Sequence, residues 1–333
     1  LALINQGGAQ GGTEGDYLAS NLDVSLADSI YVALGDVDGD GDLDALVANA
    51  NGQYNQLLTN QGGVQGGTEG TFVASTLDGG TNNTRNLALA DVDGDGDLDA
   101  IIANFSSPNQ LLINEGTAPG DTEVTFVAST LPGGSLDSQN VAFGDVDGDG
   151  DLDAIIVNSS GAADQLLINQ GGDQLGIEGT FVASFLPGDY TSSLGVALGD
   201  VDGDGDLDAI ITNGGGGGTP NELLTNQGGI QGGTEGTFVA STLNGGSLQS
   251  ARGPVLGDVD GDGDLDALIP NADEENQLLI NQGIAPGDTE VTFMAVDLDG
   301  GALSSRDIVL ADIDGDGDLD AIVTNFDAPN QLL

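Results

Sequence analysis

Six stretches of this chain set a carboxylate at every second position: Asp36, Asp38, Asp40, Asp42 and Asp44; Asp91, Asp93, Asp95, Asp97 and Asp99; Asp145, Asp147, Asp149, Asp151 and Asp153; Asp200, Asp202, Asp204, Asp206 and Asp208; Asp258, Asp260, Asp262, Asp264 and Asp266; Asp312, Asp314, Asp316, Asp318 and Asp320. Each copy reads DVDGDGDLD, or DIDGDGDLD in the last, so Gly stands at position 6, where a tight turn needs positive φ. Positions 1, 3 and 5 then offer side-chain oxygens and position 7 a backbone carbonyl. The position 9 carboxylate, at the start of an apolar run, closes the shell. Five or six hard oxygens in a flexible loop suit Ca2+, bound at about 2.3 to 2.6 Å, better than Mg2+, which demands strict octahedral geometry and gives up water reluctantly. The expected chemistry is binding of Ca2+, about six ions and one per copy, with all of these aspartates as candidate ligands.

Solvated acidic turns are the competing reading, and electrostatics weighs against it. Two carboxylates about 5 Å apart repel by roughly 0.8 kcal/mol even in water, so a loop with five of them costs on the order of several kcal/mol without a cation. Six such loops would rival the roughly 5 to 15 kcal/mol of net stability of a domain. Six bound Ca2+ ions would move the formal charge from -52 to -40.

The rest of the composition narrows the chemistry. The 333 residues hold 55 Asp plus Glu against 3 Lys plus Arg, a surface that repels phosphate backbones and anionic headgroups; neither nucleic-acid binding nor direct membrane insertion is expected. With no His and no Cys, histidine bases, Ser/His/Asp and Cys/His nucleophiles, zinc sites and disulfides have no residues to work with. No acidic residue breaks the repeat so as to mark a catalytic carboxylate pair, so the chain is not expected to be an enzyme. The longest apolar runs are a few residues, as in Ala154 to Val157, too short to span a bilayer. Residue 1 is Leu and no signal core is visible, so an export signal is expected to have been removed or to lie outside this sequence.

The elements that hold the acidic motif repeat with it. Its copies start at Asp36, Asp91, Asp145, Asp200, Asp258 and Asp312, spaced by 55, 54, 55, 58 and 54 residues, which fills the chain and predicts one domain over 1–333. NQLLTNQGG-like and TFVASTL-like blocks travel with the motif. In the second full unit four short runs read as strands: Asn86 to Asp91, Leu98 to Asn104, Gln110 to Asn114 and Thr71 to Leu77. Both alternating sets of Leu98 to Asn104 are largely apolar, so that strand is covered on both sides. The prediction is an all-β fold, a β-propeller of six four-stranded blades at about 55 residues per repeat, with each acidic loop between strands 1 and 2. Both termini fall in a third strand, so the last blade is expected to be closed by the N- and C-terminal strands, Asp16 to Leu22 joining those from Asp307 onward.

With these residues in view, the unit resembles the FG-GAP repeat of integrin α-subunit propellers and, more closely, the FG-GAP/VCBS-type repeats of secreted bacterial proteins, whose calcium loops follow DxDxDGxxD. The Phe-Gly signature is degenerate here, with Phe143-Gly144, Leu34-Gly35 and Leu198-Gly199 in its place, and no clean Gly-Ala-Pro follows. The resemblance implies a calcium-binding propeller outside the cell, secreted or on its surface, that serves adhesion or binding.

Propeller geometry puts the acidic loops and the segments such as Gln61 to Gly70 on one face. The segments that differ between copies lie on the other: Phe105 to Pro108, Gly214 to Pro220, Ala272 to Glu275, Pro187 to Leu194 and Asn244 to Ala251. A protein or glycan partner is expected on that variable face. Arg85, Arg252 and Arg306 each stand six positions before their loop and should gather there, neutralising Asp78, Asp299 and Asp307 or clamping an anion. A recurring glutamate, at Glu14, Glu69, Glu123, Glu178, Glu235 and Glu290, can reach a calcium loop or simply cap a turn. The preferred function is binding, adhesion or assembly, and the strand split between the termini would allow a homo-oligomer, filament or surface-layer subunit. A calcium-dependent glycan-binding lectin is the alternative, weakened by 4% aromatic content and no Trp. A carbohydrate-active enzyme ranks third.

Overall fold

The computed structural model describes residues 2–5, 17–20, 28–62, 70–116, 124–171, 176–188, 192–214, 219–228, 232–243, 253–284, 291–298 and 300–333. Every regular element among them is a strand, and these strands pair antiparallel. β1 (Ala2–Asn5) pairs with β2 (Tyr17–Ser20). β3 (Ser29–Gly35), β4 (Asp44–Asn49), β5 (Gln53–Asn60) and β6 (Phe72–Asn82) form a four-stranded sheet in sequence order. β7 (Thr84–Ala90), β8 (Asp99–Asn114), β9 (Phe126–Gly144), β10 (Asp153–Asn158), β11 (Gln165–Asn169) and β12 (Phe181–Phe185) make one six-stranded sheet. Four strands again follow in order: β13 (Ser193–Gly199), β14 (Asp208–Asn213), β15 (Glu222–Asn226) and β16 (Phe238–Thr242). The remaining strands are β17 (Val255–Gly257), β18 (Asp266–Ile269), β19 (Ala272–Glu274), β20 (Gln277–Ile284), β21 (Val291–Asp297), β22 (Leu303–Ala311), β23 (Asp320–Asn325) and β24 (Gln331–Leu332). They supply two sheets, ordered β17-β18-β20-β21 and β19-β22-β23-β24.

The all-β propeller class stands, but six four-stranded blades do not. Five blade sheets are present among the described residues, four of four strands and one of six, beside the β1–β2 pair. The difference has a local cause. Two connectors, Phe105 to Pro108 and Pro132 to Asn140, stay extended within β8 and β9, which reach 16 and 19 residues; β8 runs two strands of one repeat together, and β9 carries the ladder from that repeat into the next. β19 shows the same tendency, because a connector of its repeat pairs with β22 of the following one.

The chain forms two compact units, 1–91 with 95–102 and 110–129, and 92–94 with 103–109 and 130–333. The first unit has a core of Val37, Leu46, Leu57, Leu77, Leu87, Ile102, Leu112 and Phe126. In the second, Val146, Ile155, Val157, Leu166, Val196, Ile211, Leu224 and Phe238 form one cluster, while Val201, Ile210, Leu223, Ala267, Ile269 and Leu279 form another. The strand after each acidic loop is apolar on both faces for a visible reason: all six residues of β4, β10 and β14 are buried. Among the described residues, no helix is long and apolar enough to cross a membrane.

Candidate metal sites in the acidic hairpins

Each acidic motif is a hairpin between two paired strands. Strand register closes it at Gly35 with Asp44, Gly144 with Asp153, Gly199 with Asp208, Gly257 with Asp266 and Ala311 with Asp320. The position 1 carboxylate organises the turn. In the first hairpin Asp36 Oδ1 accepts from the Asp40 N–H at 3.0 Å and Oδ2 from the Gly41 N–H at 2.9 Å, while Asp40 Oδ1 accepts from the Asp42 N–H at 2.8 Å. The same bonds recur in the hairpins beginning at Asp91, Asp145, Asp200, Asp258 and Asp312. Glycines at positions 4 and 6 make this possible, as Gly39 and Gly41 show with φ of 72° and 98°.

Such turns bring carboxylate oxygens together. Oxygens of Asp36, Asp38 and Asp40 lie within 4.8 Å of one another, as do those of Asp145, Asp147 and Asp153, of Asp200, Asp202 and Asp208, and of Asp258, Asp260 and Asp262. Positions 1 and 3 are therefore joined by position 5 in some hairpins and by position 9 in others. Asp40 Oδ2 is buried and takes no hydrogen bond. A buried, ionisable oxygen in that state, facing other carboxylates, fits a divalent cation of hard-oxygen preference such as Ca2+.

Position 9 is the most enclosed ligand candidate. Asp44, Asp99, Asp153, Asp208 and Asp266 are at most 1% exposed, and Asp320 is half-buried. Asp153 accepts the Val146 N–H on Oδ2 at 3.0 Å and the Asn169 N–H on Oδ1 at 2.8 Å. Burial still pushes the Asp153 and Asp208 carboxyls up to about 7, against those hydrogen bonds and with help from neighbouring aspartates. Asp38, at position 3, is pushed up to about 6 by burial and then by the charges of Asp44 and Asp40. A cation at the site would reverse each of these costs, because it favours the ionised form.

The position 7 side chains do not join these groups. Asp151 and Asp206 turn toward Gly171 and Gly228, and each keeps a buried Oδ2 without a hydrogen-bond partner. Burial raises the pKa of both, reinforced by Asp149 and Glu178 at Asp151 and by Asp204 and Glu235 at Asp206. The recurring glutamate thus stands against the hairpins. Glu178 lies over Gly94 and Glu235 over Gly148, and Asp147, Gly228, Gly232, Gly233, Thr234 and Glu235 line an open surface pocket. Glu14, Glu69, Glu123, Glu290 and Arg252, with the Asn244 to Ala251 segment, lie outside the described residues. Of the other arginines, Arg306 packs 4.9 Å over the Phe326 ring, and Arg85 is half-buried in β7.

What the sequence reading passed over is the asparagine that ends each third strand. Asn60, Asn114, Asn169, Asn226 and Asn281 are 7% exposed or less. Each donates its backbone N–H to the position 9 aspartate of its own hairpin. Its sequence signal is its recurring place in the LLTN and LLIN blocks. Asn104 and Asn158, which open N-x-S/T triplets, are fully buried and donate to the Pro108 and Ala163 carbonyls, so they are not accessible to a glycan.

The FG-GAP-like repeat family model matches residues 36–102, 91–156 and 258–323, together more than half of the chain and taking in five of the acidic hairpins. No curated protein matches it. Among solved structures, the chain is similar to BBS1N in complex with ARL6DN: 12% identity over 92% of this chain and 81% of that one, TM-score 0.52 in a lead-soaked crystal and 0.51 in a mercury-soaked one. A rhamnogalacturonan lyase of Bacillus licheniformis aligns at 13% identity over 92% of this chain and 71% of the other, with TM-score 0.40. The likeness to BBS1N supports the fold, and the acidic hairpins with their flanking strands supply the rest: this chain belongs to the FG-GAP-like repeat family.

Proposed function

We propose that this chain is an extracellular, calcium-stabilised propeller scaffold for binding, adhesion or assembly. The observation that carries the proposal is the convergence of three carboxylate oxygens within 4.8 Å in one hairpin after another. In each hairpin positions 1, 3, 5 and 9 would hold Ca2+, which would supply positive charge to a carboxylate cluster that is otherwise self-repelling. The chain's own residues shape the turn: position 1 fixes it through two N–H bonds, the glycines allow it, and the buried position 9 anchors it to the sheet.

A partner is best sought among proteins. The neighbour of similar fold, BBS1N, is in complex with the protein ARL6DN. The connectors that differ between copies, expected on the face away from the hairpins, would supply varied side chains on a repeated frame. Sedimentation velocity of the whole chain in Ca2+ and in EGTA tests the scaffold reading. A compact species in Ca2+, alone or assembled, that expands on chelation is expected; identical profiles in both buffers would contradict it.

A further inference from the structure

Resting on that metal reading, we propose that the asparagine ending the third strand of each repeat is a positioning residue that couples metal binding in its own hairpin to metal binding in the hairpin of the preceding repeat. Asn226 shows the geometry. Its Nδ2 donates to the Leu207 carbonyl, position 8 of its own hairpin, at 3.2 Å, and to the Val146 carbonyl, position 2 of the preceding hairpin, at 2.8 Å. The backbone N–H of Asn226 donates to Asp208 Oδ1 at 2.8 Å, and its Oδ1 accepts from the Gly236 N–H at 3.0 Å. The backbone N–H and both side-chain polar atoms of a residue that is 1% exposed are therefore engaged with a hairpin or its flank.

The link reaches candidate ligands at both ends. Val146, held by Asn226 through its carbonyl, donates its own N–H to Asp153 Oδ2 at 3.0 Å. A run of buried hydrogen bonds thus joins Asp153, position 9 of one hairpin, through Val146 and Asn226 to Asp208, position 9 of the next. Asn281 repeats the arrangement, donating to Leu265 and Val201 carbonyls and to Asp266, while Val201 donates to Asp208. Asn114 bridges Leu98 and Val37 in the same way, and Asn169 bridges Leu152 and Val92. A cation that orders one hairpin fixes the asparagine that holds the neighbour's position 2 peptide, so part of the neighbour's ordering is already done.

The position 6 glycines give a readout for each hairpin separately, because Gly41, Gly150, Gly205 and Gly263 each donate an N–H to their position 1 carboxylate. In the full chain labelled with 15N-glycine, Ca2+ is withdrawn by graded EGTA and the midpoint of each amide shift is recorded. Disabling the fourth hairpin with Asp202→Asn and Asp204→Asn should raise the free Ca2+ midpoint at Gly150 and at Gly263 about fivefold or more, and leave Gly41 unmoved. In chains that also carry Asn226→Ala, or Asn226→Ser should the first not fold, the shift at Gly263 should persist while that at Gly150 disappears.

Three results would overturn the proposal: an unmoved Gly150 midpoint when the fourth hairpin is disabled, a Gly150 shift that survives loss of Asn226, or an equal shift at Gly41, which would signal global unfolding. Should neither Asn226 variant fold, the comparison of Gly150 with Gly41 still decides. Glycine amides that ignore Ca2+ altogether would defeat the metal reading as well, a distinct outcome from an uncoupled response.

Discussion

Asp164 is a natural exception at a position where the other repeats carry Asn55, Asn109, Asn221, Asn276 and Asn330. At Asn55 and Asn109 the amide serves two partners. Asn55 accepts the Asn49 N–H at 2.8 Å and donates to Thr84 Oγ1 at 2.9 Å, and Asn109 treats Asn104 and Ser138 alike. Asp164 accepts from the Asn158 N–H and the Ser193 hydroxyl but has no proton to give, and burial pushes its carboxyl up to about 6. The folded state holds that proton more tightly than the unfolded chain does. Its ionisation therefore costs stability progressively as pH rises from about 4 to about 6, and the deficit is constant above that. Asp164→Asn should thus stabilise the chain by about 2 kcal/mol at pH 7.5 and by almost nothing at pH 4, read from thermal melts at the two pH values. Equal effects at both would mean that the carboxyl is not buried as described. The five-carboxylate motif was legible from spacing alone, whereas the asparagine bridges were not, because a bond such as Asn226 to Val146 spans 80 residues and leaves no local pattern.

Among elements, the hairpins are the ones whose backbone the sequence foretells most fully. Gly205 has φ of 101° and nothing within 4 Å of where a Cβ would stand, so any penalty for a side chain there is conformational. Gly205→Ala should cost about 1 to 3 kcal/mol and weaken Ca2+ binding most at that hairpin, with a smaller effect at the hairpins bridged to it. Calorimetric titration checks this, and an undiminished affinity would show that the turn does not need positive φ. Strands were legible where Val, Ile and Leu runs are short and bounded. The expected Asn86 to Asp91 run is β7, offset by a residue or two, and Leu98 to Asn104 is the first half of β8. Their limits were not. Ser106 adopts φ of 58° within β8, and glycines 133 and 134 take positive φ within β9, so residues that usually end strands instead bend a continuing ladder. Six copies of the acidic motif therefore predicted six equal blades where the hydrogen bonding among the described residues gives five unequal ones.

For the whole molecule, a formal charge of -52 makes stability a question of counter-charge. Without metal, Asp38, Asp153 and Asp208 are carboxyls raised to about 6, 7 and 7. Raised acids bind protons more tightly in the folded state, so in EGTA the melting temperature should fall as pH rises from about 4 to about 7. Excess Ca2+ should abolish or invert that slope, since the cation competes with the proton for the same oxygens. At pH 7.5 chelation should lower the melting temperature on the order of ten degrees or more.

Equilibrium dialysis of the intact chain at pH 7.5 against Ca2+ in high salt, with the retained metal measured directly, bears most closely on all of this. Salt strips the diffuse ions that any acidic surface collects and spares ions held in a partly buried shell. About six Ca2+ per chain should remain, one for each hairpin. Retention of none, with the chain still folded, would show that the aspartate hairpins stand without metal and would contradict the account.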